Sequence, residues 1–383
     1  MARYYEFFAG GGMARAGLGG GWSCAFANDF DPMKGEAYTA NWGSDHFHLA
    51  DINSLAPGNL PGEADLAWAS FPCQDLSLAG NYAGLGSASD NQQTRSGTFW
   101  GFWRLMLGLQ REGRAPRTIV LENVYGVLTA NEGGDFVAIA SALAQAGYRF
   151  GALLVDAVHF LPQSRPRVFI VAVQSGHPIP SALLAAEPQL PWHPPALIKA
   201  AEALPAEVAD AWLWWRLPLP NNARPSLVDI IEETPRDVTW HQRGETDRLV
   251  SLMNQRHADR LEQMKRSPDR TVGTVYRRTR QGQQRAELRS DGIAGCLRTP
   301  AGGSSKQFVL LVEKGRVRSR LLSAREAARL MGLPDSYVLP QSHNDAYHVA
   351  GDGVAVPVVR HLAAAILEPL LNPTAAALAH AAE

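Results

Sequence analysis

Cysteine is scarce: the 383 residues hold three, Cys24, Cys73 and Cys296, none in a C-x-x-C spacing. That excludes a disulfide scaffold and leaves no zinc-ribbon ligand pattern. No run of eighteen apolar residues occurs, nor a charged-then-apolar leader, so a soluble, unexported, cytoplasmic protein is expected. A net charge is nearly lacking too. With 36 Lys/Arg against 37 Asp/Glu the balance is −1, which by itself points to no polyanionic partner. Hydrophobic residues make up 46% and charged ones 19%, the mixture of an ordinary globular chain long enough to bury a large core.

The charge that exists is unevenly placed. Between Arg256 and Arg289 stand ten Arg/Lys and four Asp/Glu, a local balance of +6, so the remainder carries −7. A basic patch on a neutral chain is the footprint of one surface that faces nucleic acid. A solvated helix face accounts for Arg256 to Arg270, but less well for Arg277-Arg278-Thr279-Arg280, where no acid balances the cations.

One stretch organises the rest. Leu66-Ala67-Trp68-Ala69 is an apolar run that leads into Ser70-Phe71-Pro72-Cys73-Gln74, followed by a glycine-studded loop from Leu78 to Gly97. A strand stopping there presents Cys73 at the carboxyl edge of a sheet, where open α/β folds bind ligands. A buried structural thiol is the plain alternative for a cysteine with nothing beside it. Cys73, however, has counterparts. Ile119-Val120-Leu121-Glu122-Asn123-Val124 is an apolar run ending in a carboxylate, and Gln163-Ser164-Arg165-Pro166-Arg167 lies between two apolar runs. Upstream, Tyr4 to Phe8 reads as a strand and Gly10-Gly11-Gly12 as the turn opening a helix. Cys24 to Asp31 reads as a second strand ending in acids, the usual acceptors for ribose hydroxyls.

In order and wording these motifs resemble the cytosine-C5 DNA methyltransferase family, bacterial or phage type: F-x-G-x-G, P-C-Q, E-N-V and Q-x-R-x-R, then a C-terminal return at Arg325 to Pro334 and a variant last motif at Gly351-Asp352-Gly353-Val354. Each piece alone is weak, but six in order across the chain are specific. The resemblance implies a doubly wound, Rossmann-like α/β sheet with a smaller, mostly irregular or β target recognition domain. Residues 1–176 are expected to be catalytic, 177–321 to recognise the target, and 322–383 to complete the first domain. Trp212, Trp214 and Trp215 are expected in a small second core rather than as a base-stacking platform.

The resemblance also implies S-adenosylmethionine as cofactor, held by Phe8, Gly10, Gly12, Asp29, Phe30, Asp51, Asp352 and Val354. Met13 stands where many relatives keep a further glycine, and Asp352 where they usually have Asn; a carboxylate there would face the sulfonium. Cys73 is expected as the nucleophile, Glu122 as the acid at N3, and Arg165 and Arg167 as holding O2 and orienting Glu122. DNA contacts are expected from Ser77 and Arg95 in the long loop and from Arg278, Gln283, Gln284, Arg298, Ser304 and Lys306 in the recognition part. Duplex DNA is the expected partner of a monomer, with any cognate restriction endonuclease acting separately and no metal. Two rivals remain: a tRNA cytosine methyltransferase with the same motifs, against which the long 177–321 insert counts, and a non-catalytic relative, against which Cys73, Glu122 and both arginines count.

Overall fold

The computed structural model describes residues 1–72, 97–221, 223–298 and 306–372. A seven-stranded sheet forms from β1 (Ala2–Phe7), β2 (Trp22–Asp29), β3 (Phe47–Leu49), β4 (Leu66–Ala69), β5 (Thr118–Val124), β6 (Tyr148–Asp156) and β7 (Pro166–Gln174). Their order is β3-β2-β1-β4-β5-β7-β6, with β7 antiparallel to both neighbours and the other pairings parallel. All four residues of β4 are buried. That is what an unbroken apolar run in a sheet covered on both faces requires.

Successive residues of a strand serve opposite cores, as the two-residue period dictates. Tyr4, Trp68, Phe169 and Val171 belong to one, with Met13, Leu18 and Leu362; Tyr5, Ala67, Val168 and Ile170 belong to the other, with Phe99, Phe102 and Phe136. Helix α1 (Met13–Leu18) therefore lies on one face, and α3 (Gly97–Arg111) and α4 (Gly134–Gln145) on the other; α2 (Pro32–Trp42) follows β2. The start of α2 is set locally, since the Asp31 carboxylate accepts from Met33 N and proline fills the first turn. The expected doubly wound α/β sheet is present.

A second, antiparallel sheet has the order β11-β10-β8-β9, from β8 (Thr271–Arg280), β9 (Gln283–Arg289), β10 (Gln307–Glu313) and β11 (Arg316–Leu321). Its core is small: Val275, Leu288, Phe308 and Leu310 pack with Leu249, Leu261 and Met264 from two helices. The tryptophans expected there lie elsewhere. Trp215 is buried against the large sheet, donating from Nε1 to the Val171 carbonyl at 3.1 Å, and residue 212 bridges to Phe150 at the edge strand. A Cβ at Gly151 would sit 2.0 Å from the Leu213 carbonyl oxygen, so glycine admits this segment onto β6. Proline-rich texture misplaced it, because broken helical periodicity says nothing about which core a segment joins.

The chain then returns to the large sheet. Ser323 and Glu326 form the expected capping box of the helix Ala324–Leu330. Glu326 also pairs with the fully buried Arg320 of β11, its two oxygens accepting at 2.6 and 2.7 Å. Helix Val356–Leu362 packs on α1, where a Cβ at Gly17 would lie 2.4 Å from Val359 Cβ. His343–Leu371 is long and apolar enough by composition to cross a membrane; half of its most apolar window is buried inside the protein.

Candidate active site

Strand register brings the motifs to one edge. Phe7 pairs with Asn28 and Ala69, Ala69 with Leu121, and Asp29 with Leu49. Phe8 and Ser70 therefore leave the sheet side by side at its carboxyl edge, where the order turns from β1 to β4, and Glu122 stands beside them still within β5, paired with Phe169.

The glycine turn is built for close approach on one side and packing on the other. Phe8 holds φ 56° and Gly10 φ 53°. Positive φ at a phenylalanine is strain the surroundings must impose. The Gly10 N–H donates to Asp29 Oδ2 at 2.8 Å, and among the described residues a Cβ on Gly10 would meet nothing within 4 Å. Gly10 therefore borders open space. Gly12 does not: a Cβ there would lie 2.3 Å from Trp42 Nε1, so its glycine serves packing against α2. The Gly11 carbonyl accepts from Tyr337 Oη at 2.7 Å and Trp42 Nε1 at 3.1 Å. Met13 is buried under Gly353, where a Cβ would lie 2.2 Å from its Sδ, so this departure ties the turn to the C-terminal return.

Around that open space Phe30 is 69% exposed. Both Asp29 oxygens accept backbone N–H groups, Oδ1 from Asp31 at 3.0 Å, and Asp51 Oδ1 caps a short 3-10 turn through Asn53 N at 2.8 Å. A carboxylate has about four acceptor sites, so neither role consumes the group. Val354 is buried in the core. Asp352 is not a bare carboxylate facing the site: Lys34 Nζ lies 2.7 Å and His348 Nε2 3.1 Å from its Oδ2. The pairing supplies a compensating cation that motif reading had no means to place, since Lys34 is 318 residues away.

Beneath the turn lies Glu6, which the motifs did not single out. It is buried, burial raises its pKa to about 8, and among the described residues its Oε2 has no hydrogen-bond partner. The one available signal was an acid inside the apolar run Tyr4 to Phe8.

At the centre of the edge, Glu122 is almost wholly buried and Arg167 Nε lies 3.2 Å from its Oε1. The antiparallel β5–β7 pairing arranges this, setting Val124 opposite Arg167. Asn123 Nδ2 donates to the Phe71 carbonyl at 3.1 Å, pinning the chain two residues before Cys73. Cys73 itself, with Ser77, Arg95 and Ser304, lies outside the described residues. Arg165 is brought to other partners than Glu122. Its guanidinium donates to the carbonyls of Leu297, Gly351 and Gly353 at 3.0, 2.8 and 2.7 Å, and burial lowers its pKa to about 10. Both arginines leave one extended stretch, yet only Arg167 reaches the acid.

Of the expected DNA-contacting residues, Gln283, Gln284 and Arg298 are exposed. Arg278 Nε lies 3.3 Å from Glu287, so its charge is partly matched. Lys306 is tied to the helix His343–Asp352 through Asn344 Oδ1 and His343 Nδ1. Gln307, the first residue of β10, is fully buried and exchanges two bonds of 2.9 Å with Gly295. Among the described residues no cluster of His, Cys, Asp or Glu could hold a metal ion.

The family model described as C-5 cytosine-specific DNA methylase matches residues 2–368. Type II methyltransferase M.NgoBI of Neisseria gonorrhoeae is 26% identical over 361 residues, 94% of this chain and 91% of its own length. M.HpaII of Haemophilus parainfluenzae is 26% identical over 392 residues, covering 96% of this chain and 90% of its own. Among solved structures, S. pombe Dnmt2 methyltransferase superposes with a TM-score of 0.60 at 17% identity, over 97% of this chain and 100% of that one. A putative DNA modification methyltransferase of an E. coli prophage gives 0.54 at 18%, with the same coverage.

Proposed function

The chain belongs to the C-5 cytosine-specific DNA methylase family, and from that premise we propose that it methylates carbon 5 of a flipped cytosine in duplex DNA through a covalent Cys73 adduct. The observation that carries this reading is the Glu122–Arg167 pair at 3.2 Å, set beside a Phe71 carbonyl that Asn123 holds. Together they put an acid and a cation next to the chain that delivers Cys73.

Cytosine carbon 5 is a poor nucleophile while the ring is aromatic. Addition of the Cys73 thiolate to carbon 6 breaks that aromaticity and gives an enamine. Charge then accumulates toward N3 and O2. Glu122 meets it with a proton at N3, and Arg167 orients Glu122 and donates toward O2. S-adenosylmethionine, when bound, supplies an electrophilic methyl group. The space above Gly10, the exposed Phe30, and Asp29 and Asp51 fit its adenosine. Loss of the C5 proton to water and expulsion of the thiolate restore the ring. A base stacked in a duplex cannot reach such an edge, so the cytosine must be flipped.

We read residues 177–321 as containing the recognition part and 322–383 as completing the catalytic part; the packing of Leu183, Leu213 and Trp215 into the core of the large sheet favours a recognition part that begins later than residue 177. Gln283, Gln284 and Arg298 are its readers. The protein is taken to work as a cytoplasmic monomer on double-stranded DNA, alongside a separately acting endonuclease if one exists.

Methylation-sensitive sequencing of DNA from expressing cells should reveal 5-methylcytosine in one short sequence, and none with Cys73→Ala. A duplex carrying 5-fluorocytosine at that sequence should become covalently attached to the native chain only, because fluorine cannot leave as a proton does. Adducts forming equally with Cys73→Ala, or methyl transfer to tRNA in preference to DNA, would overturn the proposal. Glu122→Gln should slow turnover on the order of a hundredfold or more, the scale of a general acid.

A further inference from the structure

Two charged residues sit where their own helices disfavour them. Lys34 occupies the first turn of α2, and Asp352 is the last residue of the helix His343–Asp352. A helix presents partial positive charge at its first turn and partial negative charge at its last, so each side chain faces an end of its own sign. Each supplies what the other lacks: Lys34 Nζ donates to Asp352 Oδ2 at 2.7 Å, with the two side chains only 16% and 31% exposed. Burial works against the ammonium, but Asp352, and after it Asp29 and Asp31, outweigh that and hold the Lys34 pKa above its ordinary value. The other end of α2 is fixed differently. About 10 Å along the helix at 1.5 Å per residue, Asn41 Nδ2 donates to the Val338 carbonyl at 2.9 Å and Asn41 Oδ1 accepts from Val338 N at 2.8 Å. Helix α2 is thus pinned to the C-terminal return by uncharged bonds at one end and by an ion pair at the other.

We infer that Lys34 is a positioning residue for the cofactor, whose bond to Asp352 locks the turn Asp29-Phe30-Asp31 against the return Gly351 to Val354. The Asp31 carboxylate caps α2 through Met33 N, so the turn and the start of the helix move together. Phe30 is 69% exposed. A ring with so little packed on it takes its place from the backbone that carries it, and Lys34 anchors that backbone. On the opposite side a Cβ at Gly353 would lie 2.2 Å from Met13 Sδ, so the return already rests on the end of the glycine turn. The ion pair sets its approach to α2 as well. His348 Nε2 also lies 3.1 Å from Asp352 Oδ2, but it comes from the same helix four residues earlier and joins nothing across the gap. Holding two walls of a site in place before a ligand arrives removes an ordering cost from binding.

The inference rests on reading these two segments as walls of the cofactor site. Calorimetry with S-adenosylhomocysteine, a probe that needs no turnover, measures the dissociation constant for the native chain, Lys34→Met, Asp352→Asn and the double variant. Each single change should weaken binding by at least about fivefold, the lower end of coupling between linked sites. The double variant should bind no worse than the weaker of the two single ones, because the second change finds the bond already broken. Lys34→Arg keeps a cation and should retain most of the affinity, whereas His348→Ala should stay within about twofold of the native value, as a change outside the link should. Lys34→Gln takes the place of Lys34→Met if the latter does not fold. Urea unfolding of the unliganded chains identifies a purely structural lysine, for which stability would fall and the dissociation constant would not move. That result, single effects that multiply in the double variant, or an equal loss in His348→Ala would overturn the inference while the cofactor reading stands. A native chain that does not bind the probe would overturn both.

Discussion

Buried titratable side chains record what a site tolerates. Glu6 binds its proton more tightly in the folded chain, near pH 8, than the 4.5 of an unperturbed carboxyl. Folding therefore takes up a proton across that window. The stability Glu6 contributes is fully present below about pH 4.5 and is lost as pH rises through about 8, with a slope of up to about 1.4 kcal/mol per pH unit. Glu6→Gln should flatten that slope, which denaturant titrations of both chains at pH 5, 6, 7 and 8 would read; identical slopes would mean that Glu6 does not titrate there. Motif order identified residues at the ends of strands, such as Glu122 and Asp29, because those positions carry chemistry in sequence. Lys34 beside Asp352 and the carbonyl cage of Arg165 were not legible, since each depends on partners more than a hundred residues away.

Among elements, the capping box at Ser323 was readable and its second function was not. Three residues of spacing announce a helix start, but nothing in the spacing says that Glu326 also neutralises the buried Arg320. Breaking such a pair leaves a charge without compensation, at a cost of about 3–5 kcal/mol. Glu326→Ala should lower unfolding stability by that amount, whereas replacing Arg320 and Glu326 together by apolar residues of similar volume should cost much less. Urea unfolding of the two variants makes the comparison. The tryptophan segment teaches the converse: Trp215 was legible as a buried residue, but whether it joined the large sheet or the small one was decided by a gap at Gly151 on β6.

At the scale of the molecule, the proposed chemistry uses the edge of the large sheet for one base and leaves its neighbours to be read by other parts of the chain. Exposed Arg298, with Gln283 and Gln284 on β9, offers donors and acceptors for base edges. Arg298→Ala should cost about 1–3 kcal/mol and relax one position of the site. Methylation rates on a panel of single-base variants check this; a uniform fall across the panel would make Arg298 a phosphate contact instead. Arg278, already beside Glu287, should contribute less to the salt dependence than an unmatched cation would.

The hydroxyl of Tyr337 that steadies the Gly11 carbonyl belongs to a residue 326 positions later in the chain. During translation at about 5–20 residues per second, the glycine turn therefore emerges long before its support does, by an interval of about 15–65 s. A ribosome-bound chain has its first strands and its acid, but the turn above them lacks the hydroxyl, Gly353 and the helix that packs on α1. Such a nascent protein should not retain radiolabelled S-adenosylmethionine on a filter when it ends at residue 322, and should do so once residue 372 is included. On that expectation, synthesis of the C-terminal part of the chain sets the moment at which the cofactor turn becomes competent.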